Sequence, residues 1–311
     1  MPVKSKAKIN AHILLARKLI RYLYGNKKSS ISSLSGGLSN YVFAVKMPGD
    51  DLVVRMSDKP EKITAFLKEQ WVVDLAGKNK IPVPEILEVG NQIIPVPYMI
   101  IRKVQGEAAI NFSDRKQLLM EMGHYTAKIN AIPTHNFGNE FDWSGNTLSK
   151  NISWKEYLHK ELNVMYRLNT LIKYKMLFSK SIKAIKALLE EMESWRKNPS
   201  LNHGDMRLKN IMIDKQGKII SILDWENCTS VIAPYWDLSI ALHDLSIDEQ
   251  EYYLQGYGIK PAAYNKMAPF IKTLNILHYA PLVQKLVIKK KFEKLANYRV
   301  RINGSMDMYS L

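Results

Sequence analysis

Three side chains in the second half of the sequence have the types and spacing that phosphoryl transfer requires. Asp205, in His203-Gly204-Asp205, is followed five residues later by Asn210, and Asp224 lies fourteen residues beyond that. A loop aspartate can accept a hydroxyl proton. An asparagine on the same loop can reach a hard cation such as Mg²⁺, with a second aspartate as its oxygen partner. His-x-Asp-x-x-x-x-Asn followed by a metal-binding Asp is the pattern of a kinase catalytic loop, here with Gly in place of the usual Arg. His-Gly-Asp alone is a common tripeptide, and an aspartate after an apolar strand is often only a cap. The conjunction decides for chemistry, because the intervening text reads as a hairpin. Ile211-Met212-Ile213-Asp214, a Lys-Gln-Gly turn and the Ile-rich run Lys218 to Leu223 would return Asp224 beside Asn210.

The elements that must present these groups can also be read. Apolar spacing predicts a helix from about Ile9 to Tyr24, stopped by Gly25. Strands at Ile31 to Leu34, Tyr41 to Lys46 and Asp51 to Met56 form a meander whose first turn contains Ser35-Gly36-Gly37. Ser35, Gly36 and Gly37 could cover a nucleotide's phosphates, since glycines let backbone N–H groups approach closely. A plain turn is the commoner fate of such a tripeptide. The third strand supplies the cation, Arg55, and the helix predicted from Glu61 to Gly77 supplies its carboxylate partner, Glu69. Lys46 competes for the cation role; alternation favours Arg55, which shares a strand face with Val53. Two strands near Ile86 to Val89 and Tyr98 to Lys103 follow. The backbone from Arg102 through Val104 to Gly106 would edge a purine, which leaves ATP and GTP indistinguishable. Beyond Gln105 the text turns helical, with candidates at Arg115 to Ile129, Ser153 to Asn169, Ser181 to Arg196, Tyr235 to Leu245, Asp248 to Gly256 and Ala262 to Leu277, and a basic helix after them. Strands first and helices after predict an α+β, two-lobed protein-kinase-like fold, with a nucleotide-binding lobe over residues 1–103 and a helical lobe over 104–311.

Composition narrows the class. A chain of 311 residues, 46% hydrophobic and 24% charged, is globular rather than disordered. One cysteine, Cys228, excludes an internal disulfide and fits a reducing compartment. No signal peptide and no run of 18 apolar residues is seen, so a cytoplasmic protein without a membrane span is expected. The net charge of +16 raises nucleic acid as a partner, but the lysines are scattered and no nucleic-acid motif accompanies them.

Gly36-Gly37-Leu38-Ser39-Asn40, Val53-Val54-Arg55, Ile81-Pro82-Val83-Pro84, Gln105-Gly106, the loop from His203 to Asn210, and Ile222-Leu223-Asp224-Trp225-Glu226 resemble the aminoglycoside phosphotransferase family. That family shares a protein-kinase-like fold with choline kinases. Pro234-Tyr235-Trp236-Asp237-Leu238 matches its helix start after the metal loop. The resemblance implies Asp205 as catalytic base, and Asn210 and Asp224 as holders of Mg²⁺ on ATP or GTP. It also implies His203 and Asp237 as scaffolding, and a cation at Arg55 where many members have Lys. No Ala-Pro-Glu segment follows Asp224, which argues for a small hydroxyl acceptor over a protein.

The acceptor itself is open. From Ile219 to Ile259 there is no Lys or Arg, while Asp224, Glu226, Asp237, Asp244, Asp248, Glu249 and Glu251 all fall there. Such acidity could attract a cationic aminosugar antibiotic; it could equally be helix caps and a solvated face. Aromatics such as Trp154, Tyr157, Tyr235 and Trp236 could stack on a ligand, although core packing is commoner. The alternatives are a housekeeping kinase for choline, methylthioribose, fructosamine or homoserine, and a catalytically dead nucleotide-binding protein. The complete set Asp205, Asn210 and Asp224 speaks against the last. The oligomeric state is not legible.

Overall fold

The computed structural model describes residues 5–34, 40–140 and 150–307, with side chains to residue 304. Two compact units emerge: Met1–Phe112 with Leu208–Glu226, and Ser113–Arg207 with Asn227–Leu311. The first unit thus ends nine residues beyond the 103/104 boundary read from sequence, and it also takes in the later hairpin. The physical tie is strand pairing, since Glu107–Ala108 pairs with Ile211–Ile213 and the hairpin strand Ile219–Ile222 lies beyond it.

In the first unit, helix α1 (Lys6–Tyr24) is capped by Ser5, whose Oγ accepts from Lys8 N, and stops at Gly25 with φ +71°. An antiparallel sheet follows: β1 (Ser30–Ser33), β2 (Tyr41–Met47), β3 (Asp50–Met56), β4 (Ile86–Gly90) and β5 (Tyr98–Arg102), in the order β1-β2-β3-β5-β4. The sheet's two faces divide the labour. Leu52, Val54 and Met56 of β3 join Ala16, Leu19 and Ile20 of α1 in one buried cluster. Arg55 lies between them in sequence, so it points to the other face. There helix α2 (Lys62–Lys78) presents Phe66 and Glu69. The predicted helix, meander and later strands all form, within one or two residues at most ends. The glycine turn Ser35, Gly36 and Gly37 lies outside the described residues.

The second unit is mainly helical, with helix α3 (Arg115–Asn130) packed on helix α4 (Ile247–Tyr257). Small residues make that crossing close: a Cβ on Gly256 would stand 1.9 Å from Met120 O, and one on Gly123 2.1 Å from Tyr253 O. The short antiparallel pair Ser200–Asn202 and Thr229–Val231 brackets the segment from His203 to Cys228 along the chain. One predicted helix is corrected. Ser153 to Asn169 is not continuous: a helical turn at Trp154–Glu156 widens through Tyr157–Glu161, and a new helix, Val164–Lys173, starts after Asn163 at φ +51°. Asparagine tolerates that left-handed conformation. The apolar rhythm hid the break because Tyr157, Leu158 and Leu162 before it and Val164 and Leu168 after it are all buried. Tyr235–Ala241 is also shorter than read, tightening into a 3₁₀ turn over Leu242–Asp244. Among the described residues no helix is long and apolar enough to cross a membrane.

The α3–α4 crossing gives a stability prediction. Gly256→Ala should lower unfolding free energy by roughly 1–3 kcal/mol, as overpacking against backbone does. An unchanged Tm would show that the two helices can part without cost.

Candidate active site

The turn from His203 to Asp205 is held by a buried carboxylate. Asp237, at the start of a helix and 0% exposed, accepts from His203 N at 3.0 Å, Gly204 N at 2.8 Å and Asn130 Nδ2 at 2.9 Å. Burial pushes its carboxyl up, and the charge of His203 and these N–H donors pull it back. Asp205 N donates to His203 Nδ1 at 3.2 Å, so the histidine ring closes the turn it belongs to. Gly204 sits at φ +80°, and a Cβ there would meet Asn227 O at 2.0 Å. Its glycine is therefore a geometric necessity. Asp205 is left 9% exposed, with Arg207 Nε 3.0 Å from its Oδ1.

The first unit carries the other predicted groups. Leu223 N donates to Asn210 O at 2.8 Å, so the hairpin does return Asp224 beside Asn210. Asp224 takes φ +65°, and Trp225, wholly buried, pins the turn by donating from Nε1 to Ile222 O at 2.8 Å. The Asp224 side chain keeps 38% of its surface exposed while Asn210 is buried. A carboxylate beside an amide oxygen is a donor set that suits a hard cation.

Arg55 is the cation that alternation favoured, and Lys46 is exposed on the strand before it. The Arg55 guanidinium donates to Glu69 Oε1 at 2.6 Å and to Glu226 Oε2 at 3.2 Å, and reaches Asp224 at 4.0 Å. Burial works to discharge it, but Glu69, then Asp224 and Glu226, more than offset this and raise its pKa. Glu226 gathers three donors: Lys62 Nζ at 2.9 Å, Arg55, and Asn40 Nδ2 at 3.5 Å. Burial pushes the Glu226 carboxyl up, yet the hydrogen bond and charge of Lys62, with Arg55, hold it below its ordinary value.

Arg102, placed by sequence at the purine edge, has its side chain at the surface with Asp50 and, at 2.6 Å, Glu85. Its backbone N–H donates to Glu85 O at 2.9 Å. Val104 is half-buried on the segment after β5. Sequence reasoning did not single out Lys62 or Arg207, and named Glu226 in the motif from Ile222 and as one acid among several, without a partner for it. Arg207 stands two residues after Asp205, a signal available from the sequence. Lys62 gives no local cue, because its partner is 164 residues away.

The acidic stretch is largely engaged. Asp237 is structural, Glu226 neutralises Arg55 and Lys62, and Glu249 caps Ser246 and pairs with Arg115 at 2.7 Å. Asp244 lies 3.6 Å from Arg207 and 2.9 Å from Arg301. Among the aromatics, Trp154, Tyr157, Tyr235 and Tyr253 are buried. Tyr157 and Trp236 also line a cavity of about 490 Å³ in the second unit.

The network around Glu226 predicts an acid response. A carboxyl whose folded pKa is depressed contributes stability above its unfolded pKa and loses it as pH falls through the folded value. Tm should therefore drop as pH is lowered from 4.5, the ordinary glutamate value, and Glu226→Gln should flatten that drop. Superimposable Tm–pH curves would remove Glu226 from the energetics of the site.

Comparison with known proteins gives the family and the fold. The profile described as the phosphotransferase enzyme family matches residues 30–270. No curated protein matches the chain. Among solved structures, it is similar to a thermostable mutant of aminoglycoside phosphotransferase APH(4)-Ia in apo form, with TM-score 0.70 and 16% identity over 94% of this chain and 99% of that one. It is similar to APH(2")-IIia in complex with GDP and kanamycin, at TM-score 0.67 and 14% identity over 94% and 98%. It is also similar to macrolide 2'-phosphotransferase type I, at TM-score 0.65 and 15% identity over 97% and 99%. At these identities the likeness shows the α+β kinase-like fold.

Proposed function

We propose that this chain, which belongs to the phosphotransferase enzyme family, transfers the γ-phosphoryl of ATP or GTP in line to a hydroxyl of a small acceptor. The observation that carries the reading is the return of Asp224 to Asn210 by the Leu223 N–H···O bond, fourteen residues after the loop that holds Asp205. Nucleotide bound in solved neighbours supports it: APH(4)-Ia is known with AMP-PNP and hygromycin B, and APH(2")-IIia with GDP.

Each group then has a task. Asp205 accepts or orients the acceptor's hydroxyl proton, held in place by the His203 and Asp237 hydrogen bonds. Asn210 and Asp224 would hold Mg²⁺, which when bound neutralises charge on the phosphates. Arg55, oriented by Glu69, meets the phosphates, and the turn Ser35, Gly36 and Gly37 covers them. Backbone at Val104 serves the base. We assign the nucleotide to the first unit and the acceptor to the second, in keeping with lobes at 1–103 and 104–311. A cytoplasmic setting fits the single, buried Cys228.

Aminosugars and macrolides, the substrates named for the neighbours, are the first acceptors to assay, and would make the protein an antibiotic-modifying enzyme. A metabolite kinase for choline, methylthioribose, fructosamine or homoserine uses the same machinery.

Asp205→Ala should reduce turnover by about 10²–10⁴-fold, the usual worth of a positioned base, while leaving Mg·AMP-PNP binding intact by calorimetry. Asp224→Ala should weaken that binding as well. Turnover of Asp205→Ala near the wild-type rate would dismiss Asp205 as the base.

A further inference from the structure

The turn that joins the helices Ala280–Ile288 and Glu293–Asp307 departs from the usual helix end. The first helix closes with Lys290 N donating to Val287 O at 2.9 Å and Lys291 N to Leu286 O at 2.9 Å. In that crossed pair the left-handed position normally holds glycine or asparagine, and the next residue is often apolar. Here Lys290 takes the left-handed position at φ +54°, and Lys291 follows it. The second helix starts at once, with Leu295 N donating to Phe292 O at 3.0 Å. Backbone bonds thus fix the turn from both sides, and the buried Leu286 and Leu295 anchor its base.

The turn presents apolar bulk and charge together. Ile288 is 74% exposed and Phe292 56% exposed, and Lys289, Lys290 and Lys291 between them are all exposed. Lys285 and Lys294, on the two helices, are exposed as well. Over residues 280–298 the sequence holds these five lysines against one acid, Glu293. Among the described residues none of the five is held in an ion pair. Lysines at a helix end suit its dipole, which accounts for charge there but not for two large apolar side chains standing in water. An apolar tip set among unpaired lysines complements a bilayer containing anionic lipid. The tip enters the headgroup boundary while the ammonium groups meet lipid phosphates. A nucleic acid would take the lysines and stack on the Phe292 ring, but offers Ile288 nothing.

We propose that the turn at 288–292 docks the protein on an anionic lipid bilayer. Ile288 and Phe292 enter the headgroup boundary, and Lys285, Lys289, Lys290, Lys291 and Lys294 face the lipid phosphates. Lys290 then holds a glycine's position because its charge counts at the contact. The cytoplasmic leaflet of a cell membrane carries such lipid, so the docking suits a cytoplasmic enzyme. It stands apart from the reading of the active site.

The test is co-sedimentation of the whole protein with vesicles of phosphatidylcholine alone, or of phosphatidylcholine mixed with phosphatidylglycerol. The mixed vesicles should bind it far more tightly, and added salt should weaken that binding. Changing Lys289→Gln, Lys290→Gly and Lys291→Gln together should weaken it about hundredfold, since each lysine near such a surface is worth roughly fivefold. Glycine at 290 keeps the turn. Ile288→Ser with Phe292→Ser should weaken binding about tenfold. All five positions are exposed, so Tm should stay at the wild-type value and show the fold intact. The control removes equal charge from the exposed face of α1, through Arg17→Gln, Lys18→Gln and Arg21→Gln, and should cost much less. Equal binding to both kinds of vesicle would overturn the proposal. So would unchanged binding in the serine variant, or a loss in the α1 variant as large as in the lysine variant, which would mark diffuse attraction by net charge. Binding of polyuridylate that the lysine variant loses, with no binding to vesicles, would assign the turn to nucleic acid instead.

Discussion

The buried carboxylate of Asp237 is the constraint on which the turn from His203 to Asp205 depends. Its two oxygens satisfy the backbone N–H groups of His203 and Gly204, which follow the strand Ser200–Asn202. Unpaired in the interior, two such donors would each cost about 1–3 kcal/mol, so loop and carboxylate form one unit. The position of Asp205 follows, since its own N–H is bonded to the His203 ring. The placement of Asp205 thus hangs on Asp237, a residue it does not itself touch through any of these bonds.

In the first unit the corresponding element is the guanidinium of Arg55. It bridges Glu69 on α2 to Glu226 just past the hairpin, and stands 4.0 Å from Asp224. A lysine ammonium is a point charge on a flexible stem and would serve one carboxylate at a time; the planar fork serves two. That geometry gives a physical reason for arginine rather than lysine at position 55. It also explains why Glu226 and Lys62 belong to the site: two carboxylates near a third, Asp224, need more than one cation to remain ionised together.

Much of this could be read from the sequence, because it is local. The His203 to Asn210 spacing, the hairpin and the alternation that turns Arg55 away from Leu52 and Val54 are short-range patterns with direct geometric meaning. The readings that failed depended on distant partners or on a single backbone angle. Asn163 breaks a helix whose apolar rhythm continues on both sides. The side chain of Arg102, about which chain order along the purine edge says nothing, is placed by Asp50 and Glu85. The acid-rich stretch was legible as composition, but Arg115, Arg207 and Arg301, which engage it, come from elsewhere in the sequence. Charge counted along a chain is not charge presented to a ligand.

The central claim is phosphoryl transfer to a small hydroxyl compound. Its most direct test is incubation of the purified protein with Mg²⁺ and ATP or GTP over a panel of aminoglycosides, macrolides, choline, methylthioribose, homoserine, hydroxycarboxylates and sugar phosphates. Nucleoside diphosphate release and the acceptor's mass are read together. The account predicts that one acceptor class stimulates release and gains the mass of one phosphoryl group. Failure of the protein to bind either nucleotide in the presence of Mg²⁺, with no acceptor modified, would contradict it.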